Sequence, residues 1–170
     1  MDANLRRENI LKTIGETPIS ASSLAKSLSV SRQVIVGDIA ILRAQGHEII
    51  ATARGYVIPQ FRDTNQYIGK IACQHTSANT QLELYAMVDL GADVINVIVE
   101  HDLYGEITGQ LNLKTRDDVD IFIQRVKSAE IKLLSELTMG VHLHTIACRD
   151  KTHFNQVLYA LADAGYLFQN

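Results

Sequence analysis

Two β-branched runs with only a short stretch between them constrain this chain more than any other feature. Residues 94–100 and 107–113 flank His101 to Gly105, which begins the connection between them. A parallel crossover needs a dozen or more residues, so these runs must pair as an antiparallel hairpin. The other strand candidates, residues 68–75 and 141–147, are set apart from the hairpin by helical patterns. Thr76 and Ser77 read as the cap of a helix to about Leu90, closed by Gly91. Thr115 opens a long helix with Val119, Phe122, Ile123, Val126 and Leu133 or Leu134 inward, ending before Gly140. A last helix spans residues 152–165. The order β-α-β-β-α-β-α predicts a two-layer α+β sandwich with its helices on one side.

Strand directions then place the histidines. A helical crossover makes the first two strands parallel, and the hairpin reverses the third. The long helix climbs back, so the fourth strand starts where the first two end. His75, the His101 connection, His142 and His144 therefore share one end of the sheet. His142 and His144 leave one face of their strand, and Glu83 lies on the helix that follows His75. Three imidazoles and a carboxylate suit a divalent transition metal. The plainer alternative is an incidental His-x-His in a strand. His153, Arg149 and Lys151 belong to the opposite end, and His47 to the N-terminal segment. Cys73 and Cys148 share the parity of the histidines but read as small buried hydrophobes, not as ligands. No His-Glu-x-x-His, glycine-rich phosphate loop or nucleophile motif is present, so catalysis is unsupported.

The first 59 residues follow a different plan. Ile10, Leu11 and Ile14 form an apolar stripe that stops at Gly15, and Pro18 forbids its continuation. Ser20 caps a short helix with Leu24, Ala25 and Leu28 inward. A turn at Ser29-Val30-Ser31 leads to a third helix, capped by Ser31 and stopped at Gly46. Two strands around Ala53-Arg54-Gly55 complete a winged helix-turn-helix. Ile35, Ile39 and Leu42 face the core of that head; Gln33, Val36, Gly37, Ala40 and Ala44 are assigned to the opposite face. That face is small and nearly neutral, which suits close approach to a major groove. Ser31, Arg32 and Gln33 at the helix start are placed to reach phosphates and base edges, with Val36, Arg43 and the wing-tip Arg54 as further DNA contacts. The alternative is a helix-turn-helix that only contacts protein.

Charge supports a division of labour. Residues 1–59 carry seven Lys/Arg against five Asp/Glu, and residues 60–170 carry nine against fourteen. A formal net charge of −3 excludes a histone-like polycation. The apolar runs fall short of a membrane span, the N-terminus lacks a signal-peptide core, and two cysteines are too few for a disulfide scaffold. A cytoplasmic protein without membrane contact is expected. The domains are assigned as residues 1–59, a linker at 60–66, and a body at 67–170.

Taken together, these segments resemble the niacin-responsive transcriptional repressors that carry a C-terminal three-histidine domain. In the head the resemblance rests on Val30 to Ile35, Asp38-Ile39 and Leu42-Arg43. In the body it rests on His75-Thr76, Glu83-Leu84-Tyr85, Val97 to His101, Tyr104-Gly105, Leu111-Asn112-Leu113 and His142-Leu143-His144. The resemblance implies a body like the small phosphocarrier fold, with one divalent metal (zinc, nickel, iron, cobalt or manganese) on His75, Glu83, His142 and His144. It implies nicotinic acid as co-repressor, genes of NAD synthesis and niacin uptake as targets, and a homodimer on palindromic operator DNA. The pyridine nitrogen is expected at the metal, with the carboxylate toward Thr76 and Ser77 and with Tyr104 or Lys132 as further donors. Asp102 stands where the family pattern has proline, which casts His101 as an outer or effector contact. Two rivals are a repressor for which the ion is itself the signal and a metal-dependent enzyme fused to a DNA-binding head.

Overall fold

The computed structural model describes residues 2–59 and 65–168, and the chain divides into two compact units, residues 1–62 and 63–170. Most of the expected linker lies outside the described residues. In the first unit, α1 (Ala3–Thr13) starts on the side chain of Asp2, which accepts from the N–H groups of Asn4 and Leu5. Helix α2 (Ala21–Ser27) is capped by Ser20, and α3 (Arg32–Ala44) by Ser31. Ser29, left-handed at φ 54°, makes the turn between them. Ile10, Leu24, Ile35, Ile39, Leu42 and Ile49 form the buried core of this unit. Strands β1 (Ile50–Thr52) and β2 (Gly55–Val57) pair antiparallel as the wing. Ile19 exchanges backbone hydrogen bonds with Tyr56 across β2. A side chain at Gly55 would collide with the Ile19 backbone, so only glycine fits there.

The second unit is the expected β-α-β-β-α-β-α sandwich. Its strands β3 (Tyr67–Gln74), β4 (Asp93–His101), β5 (Gly105–Leu113) and β6 (Val141–Cys148) form one sheet in the order β3-β6-β4-β5, every neighbouring pair antiparallel. Cys73 lies opposite His142, Ile71 opposite His144, and Val97 opposite His144 from the other side, so all these residues share one face. Helices α4 (Thr80–Val88), α5 (Arg116–Ala129) and α6 (Lys151–Asp163) cover that face. Its centre is closed by Ile71, Leu84, Met87, Val94, Leu113, Val119, Ile146 and Leu161.

Two boundaries differ from the sequence reading. Thr76 makes no side-chain cap; a 3-10 turn (Ser77–Asn79) intervenes, and the α-helix begins at Thr80. Glu83 consequently falls in the first helical turn. The helix predicted to run to Gly140 ends instead at Glu130, where the backbone turns left-handed at φ 50°. Residues 131–140 are therefore free of the helix and carry a short 3-10 turn (Leu134–Thr138) across the sheet. Apolar Leu133 and Leu134 kept the inward period, so periodicity alone did not reveal the break.

Candidate functional site

The body's inner face holds an unusual core. His142, His144 and Glu83 are 4%, 3% and 0% exposed, and the side chain of His75 is 3% exposed. The register places them. His75 continues β3 one residue past Gln74, and Gly140, whose φ is +87°, packs directly against its carbonyl. Strand β6 supplies His142 and His144 two residues apart, and α4 lays Glu83 over them.

Each imidazole is held by its far nitrogen. Nδ1 of His75 donates to the carbonyl of Thr76 (2.8 Å), Nδ1 of His142 to Gly140 (2.8 Å), and Nδ1 of His144 to Asn96 (2.8 Å). A carbonyl can only accept, so all three Nδ1 atoms carry the proton and all three Nε2 atoms turn inward. There they meet one carboxylate. His75 Nε2 lies 2.6 Å from Glu83 Oε2, and the Nε2 atoms of His142 and His144 lie 2.9 and 3.3 Å from Oε1. The geometry satisfies only the His142 contact as a hydrogen bond. His75 Nε2, His144 Nε2 and Glu83 Oε2 are buried without a hydrogen-bond partner among the described residues.

The electrostatics follow from this packing. Burial opposes charge on His75 and His144, but Glu83 outweighs it and holds both above the ordinary imidazole value. Burial likewise opposes charge on Glu83, and the three histidines overcome it, holding the carboxyl well below its usual range. Buried polar atoms are almost always paired, and a cluster with three left over suits a bound cation. The donor set of three imidazole Nε2 atoms and a carboxylate fits a divalent transition metal. When bound, such an ion would supply a Lewis-acid point of attachment for a ligand.

Cys73 belongs closer to this cluster than the sequence suggested. Its sulfur lies within 4.8 Å of ligand atoms of Glu83 and His142, and burial, reinforced by Glu83, pushes the thiol up. Its alternation with His75 on β3 was the available signal. Cys148 is buried as expected.

The expected effector residues separate. Thr76 and Ser77 line an open groove of about 460 Å3, with Gln74, His75, Ser135 and Met139. His101 does not join the cluster: its Nδ1 accepts from the N–H groups of Leu103 (3.1 Å) and Tyr104 (3.3 Å), which fixes the hairpin turn. Tyr104 is 75% exposed and stacks on His101, and Lys132 is exposed; neither lines the groove. These three assignments are corrected, because hairpin and helix-end geometry turn them away. Thr80 and Ser135, which the sequence reading passed over, line a small cavity against the histidines.

In the head, Ser31, Arg32 and Gln33 are exposed at the start of α3, and Arg43 is exposed in its last turn. Arg54 sits half-buried in the wing turn, its N–H donating to Thr52 Oγ1. Val36 is a correction: it is half-buried and packs against the core instead of standing on the open face. Val34 and Ile41, 38% and 43% exposed, flank Gly37 on that face instead.

Comparison with known proteins follows this division. A profile of the 3H domain matches residues 68–170. The chain belongs to the 3H-domain family. An HTH domain profile matches residues 6–57, ahead of the 3H domain. The transcription repressor NadR of Bacillus subtilis (strain 168) is 40% identical over 174 residues, covering 100% of this chain and 96% of that protein. The probable transcription repressor NiaR of Thermotoga maritima is 37% identical over 169 residues, covering 96% of this chain and 95% of that protein. Both matches span the helix-turn-helix and 3H segments of this chain. No helix among the described residues is long and apolar enough to cross a membrane.

Proposed function

We propose that this chain is a DNA-binding transcription repressor whose 3H domain holds one divalent transition metal and senses nicotinic acid. The observation that carries the metal reading is the convergence of three Nε2 atoms on Glu83 with their far nitrogens tied to carbonyls. His75, Glu83, His142 and His144 are the ligands in this reading. Repressor function is supported by NadR and NiaR, whose match spans both domains. Nicotinate comes from the resemblance to niacin-responsive repressors, and NAD synthesis and niacin uptake genes are the targets it implies.

In the head, Arg32 and Gln33 read base edges, Ser31 starts the helix at the backbone, and Arg43 and Arg54 hold phosphates. One winged helix contacts few bases, so two copies act together on a palindromic operator. The effector tightens operator binding by favouring one placement of the two heads. The test is selection of metal-loaded protein on a pool of random duplexes, with and without nicotinate. A palindromic consensus whose affinity rises with nicotinate is expected. A consensus that responds to metal alone makes the ion the signal, and no enrichment at all rejects the DNA reading.

A further inference from the structure

The three histidines and Glu83 face a small cavity of about 30 Å3 lined by Leu84, Val97, Phe122 and Leu134. Besides those four polar residues, the cavity is lined by the hydroxyl residues Thr80 and Ser135. Thr80, the first residue of α4, is 8% exposed, and its Oγ1 is buried with no hydrogen-bond partner among the described residues. A helical threonine commonly donates to the carbonyl four residues back, as Thr13 does to Asn9 at 2.7 Å. Thr80 stands in the first turn and makes no such bond. A desolvated hydroxyl left unpaired is costly and marks a place where something else binds.

Ser135, 7% exposed, and His75 line both this cavity and the open groove of about 460 Å3 beside it. Ser135 and His75 thus stand where the groove and the cavity share a lining. No lysine or arginine lines either space among the described residues. An anion held here is met by neutral donors and by whatever cation the histidines hold. We propose that Thr80 and Ser135 are specificity-determining residues whose hydroxyls donate to the carboxylate of a planar nitrogen-heteroaromatic acid. The ring lies against Leu84, Val97, Phe122 and Leu134. This rests on the effector reading above and moves the carboxylate inward from Thr76 and Ser77, which become the mouth of the site.

A cavity of about 30 Å3 is too small for a six-membered ring, which enters only when a wall retreats. The wall able to do so is the 3-10 turn Leu134–Thr138, bounded by the left-handed residues Glu130 (φ 50°) and Met139 (φ 51°). Ligand binding is thereby coupled to the position of that turn.

The experiment is titration calorimetry of the metal-loaded full chain with nicotinate, nicotinamide and benzoate, together with metal content and amide exchange of residues 133–140. The double variant Thr80→Val/Ser135→Ala keeps its metal and binds nicotinate at least about tenfold more weakly. Its preference for acid over amide shrinks, and Thr80→Ser in place of Thr80→Val restores much of the affinity. Exchange across residues 133–140 changes on adding nicotinate to the parent protein. A double variant with full metal and nicotinate affinity within about twofold of the parent overturns the inference alone. Loss of metal in the double variant also overturns it, because the hydroxyls would then serve the ion. If the metal-loaded parent binds no nicotinate, the effector reading falls and takes this inference with it.

Discussion

Asp38 in the first unit and Glu83 in the second are both buried carboxylates on helices, and the two are treated in opposite ways. Asp38, 3% exposed on α3, accepts from Arg6 Nε at 2.5 Å, Arg6 Nη2 at 3.3 Å and Arg7 Nη1 at 3.3 Å. Both of its oxygens are satisfied by side chains of α1, and the helices α1 and α3 are pinned together. Glu83, 0% exposed on α4, faces three imidazoles and the Cys73 thiol, and one of its oxygens has no hydrogen-bond partner among the described residues. A buried charge that its own fold has paired is a structural device. One that faces imidazole nitrogens, two of them without a hydrogen-bond partner among the described residues, suits a bound cation.

Removing ligands should separate the two most sharply. The double variant His142→Ala/His144→Ala should carry no metal, and Glu83→Ala or His142→Ala alone should lower metal affinity at least about tenfold with the fold intact. Equilibrium titration and elemental analysis check this, and full metal content in the double variant would reject the centre. The head should behave inversely. Asp38→Ala removes satisfied bonds and should cost roughly 1–3 kcal/mol of stability, whereas Glu83→Gln in the metal-free protein should cost less. Denaturant unfolding of both variants without metal decides, and equal costs would erase the distinction between the two carboxylates.

At the DNA face the expected change is comparable in affinity but confined to specificity. Gln33→Ala should lower specific binding by about 1–3 kcal/mol and relax one operator position. Parent-like binding of that variant to the selected operator would remove α3 as the reading element.

Acidity gives a subtler contrast. In the metal-free protein the raised pKa values of His75 and His144 contribute stability present below the ordinary imidazole value and lost as pH rises through their folded values. The lowered value of Glu83 contributes stability present above the ordinary carboxyl value and lost as pH falls through its folded value. The cluster therefore stabilises the metal-free fold most between the carboxyl and imidazole ranges. Metal reverses the upper limb, because protons compete for the same Nε2 atoms and added stability grows with pH. Melting curves against pH with and without metal should diverge above the imidazole range; parallel curves would place the ion elsewhere. The smallest effect is expected at Arg54. Arg54→Ala should weaken binding to all duplexes and flatten the salt dependence by about one unit.

Much of this centre was legible from strand direction. A hairpin too short to cross over, two helical crossovers and the parity of His142 and His144 bring the four residues together without coordinates. The same reasoning lost Val36, because a helix face assigned by opposition to Ile35 does not say how far the core extends around the helix. It lost Asp38 as well. A charged residue at core spacing is buried only when partners from another helix reach it, and Arg6 and Arg7 lie more than thirty positions away.

The sequence by itself determined the order of elements, the sides of the strands and the choice of histidines, because these follow from local periods of two and 3.6 residues and from short connections. Only the tertiary structure decided how those side chains are finished. That His75, His142 and His144 all present Nε2 depends on carbonyls of Thr76, Gly140 and Asn96, which no side-chain pattern encodes. The same holds for Thr80 and Ser135. The left-handed turn at Glu130 drops the chain out of its helix and across the sheet, and this sets Ser135 beside the cavity that Thr80 enters from α4. Hydroxyls are ordinary residues in sequence, and burial beside the histidine cavity is what sets these two apart.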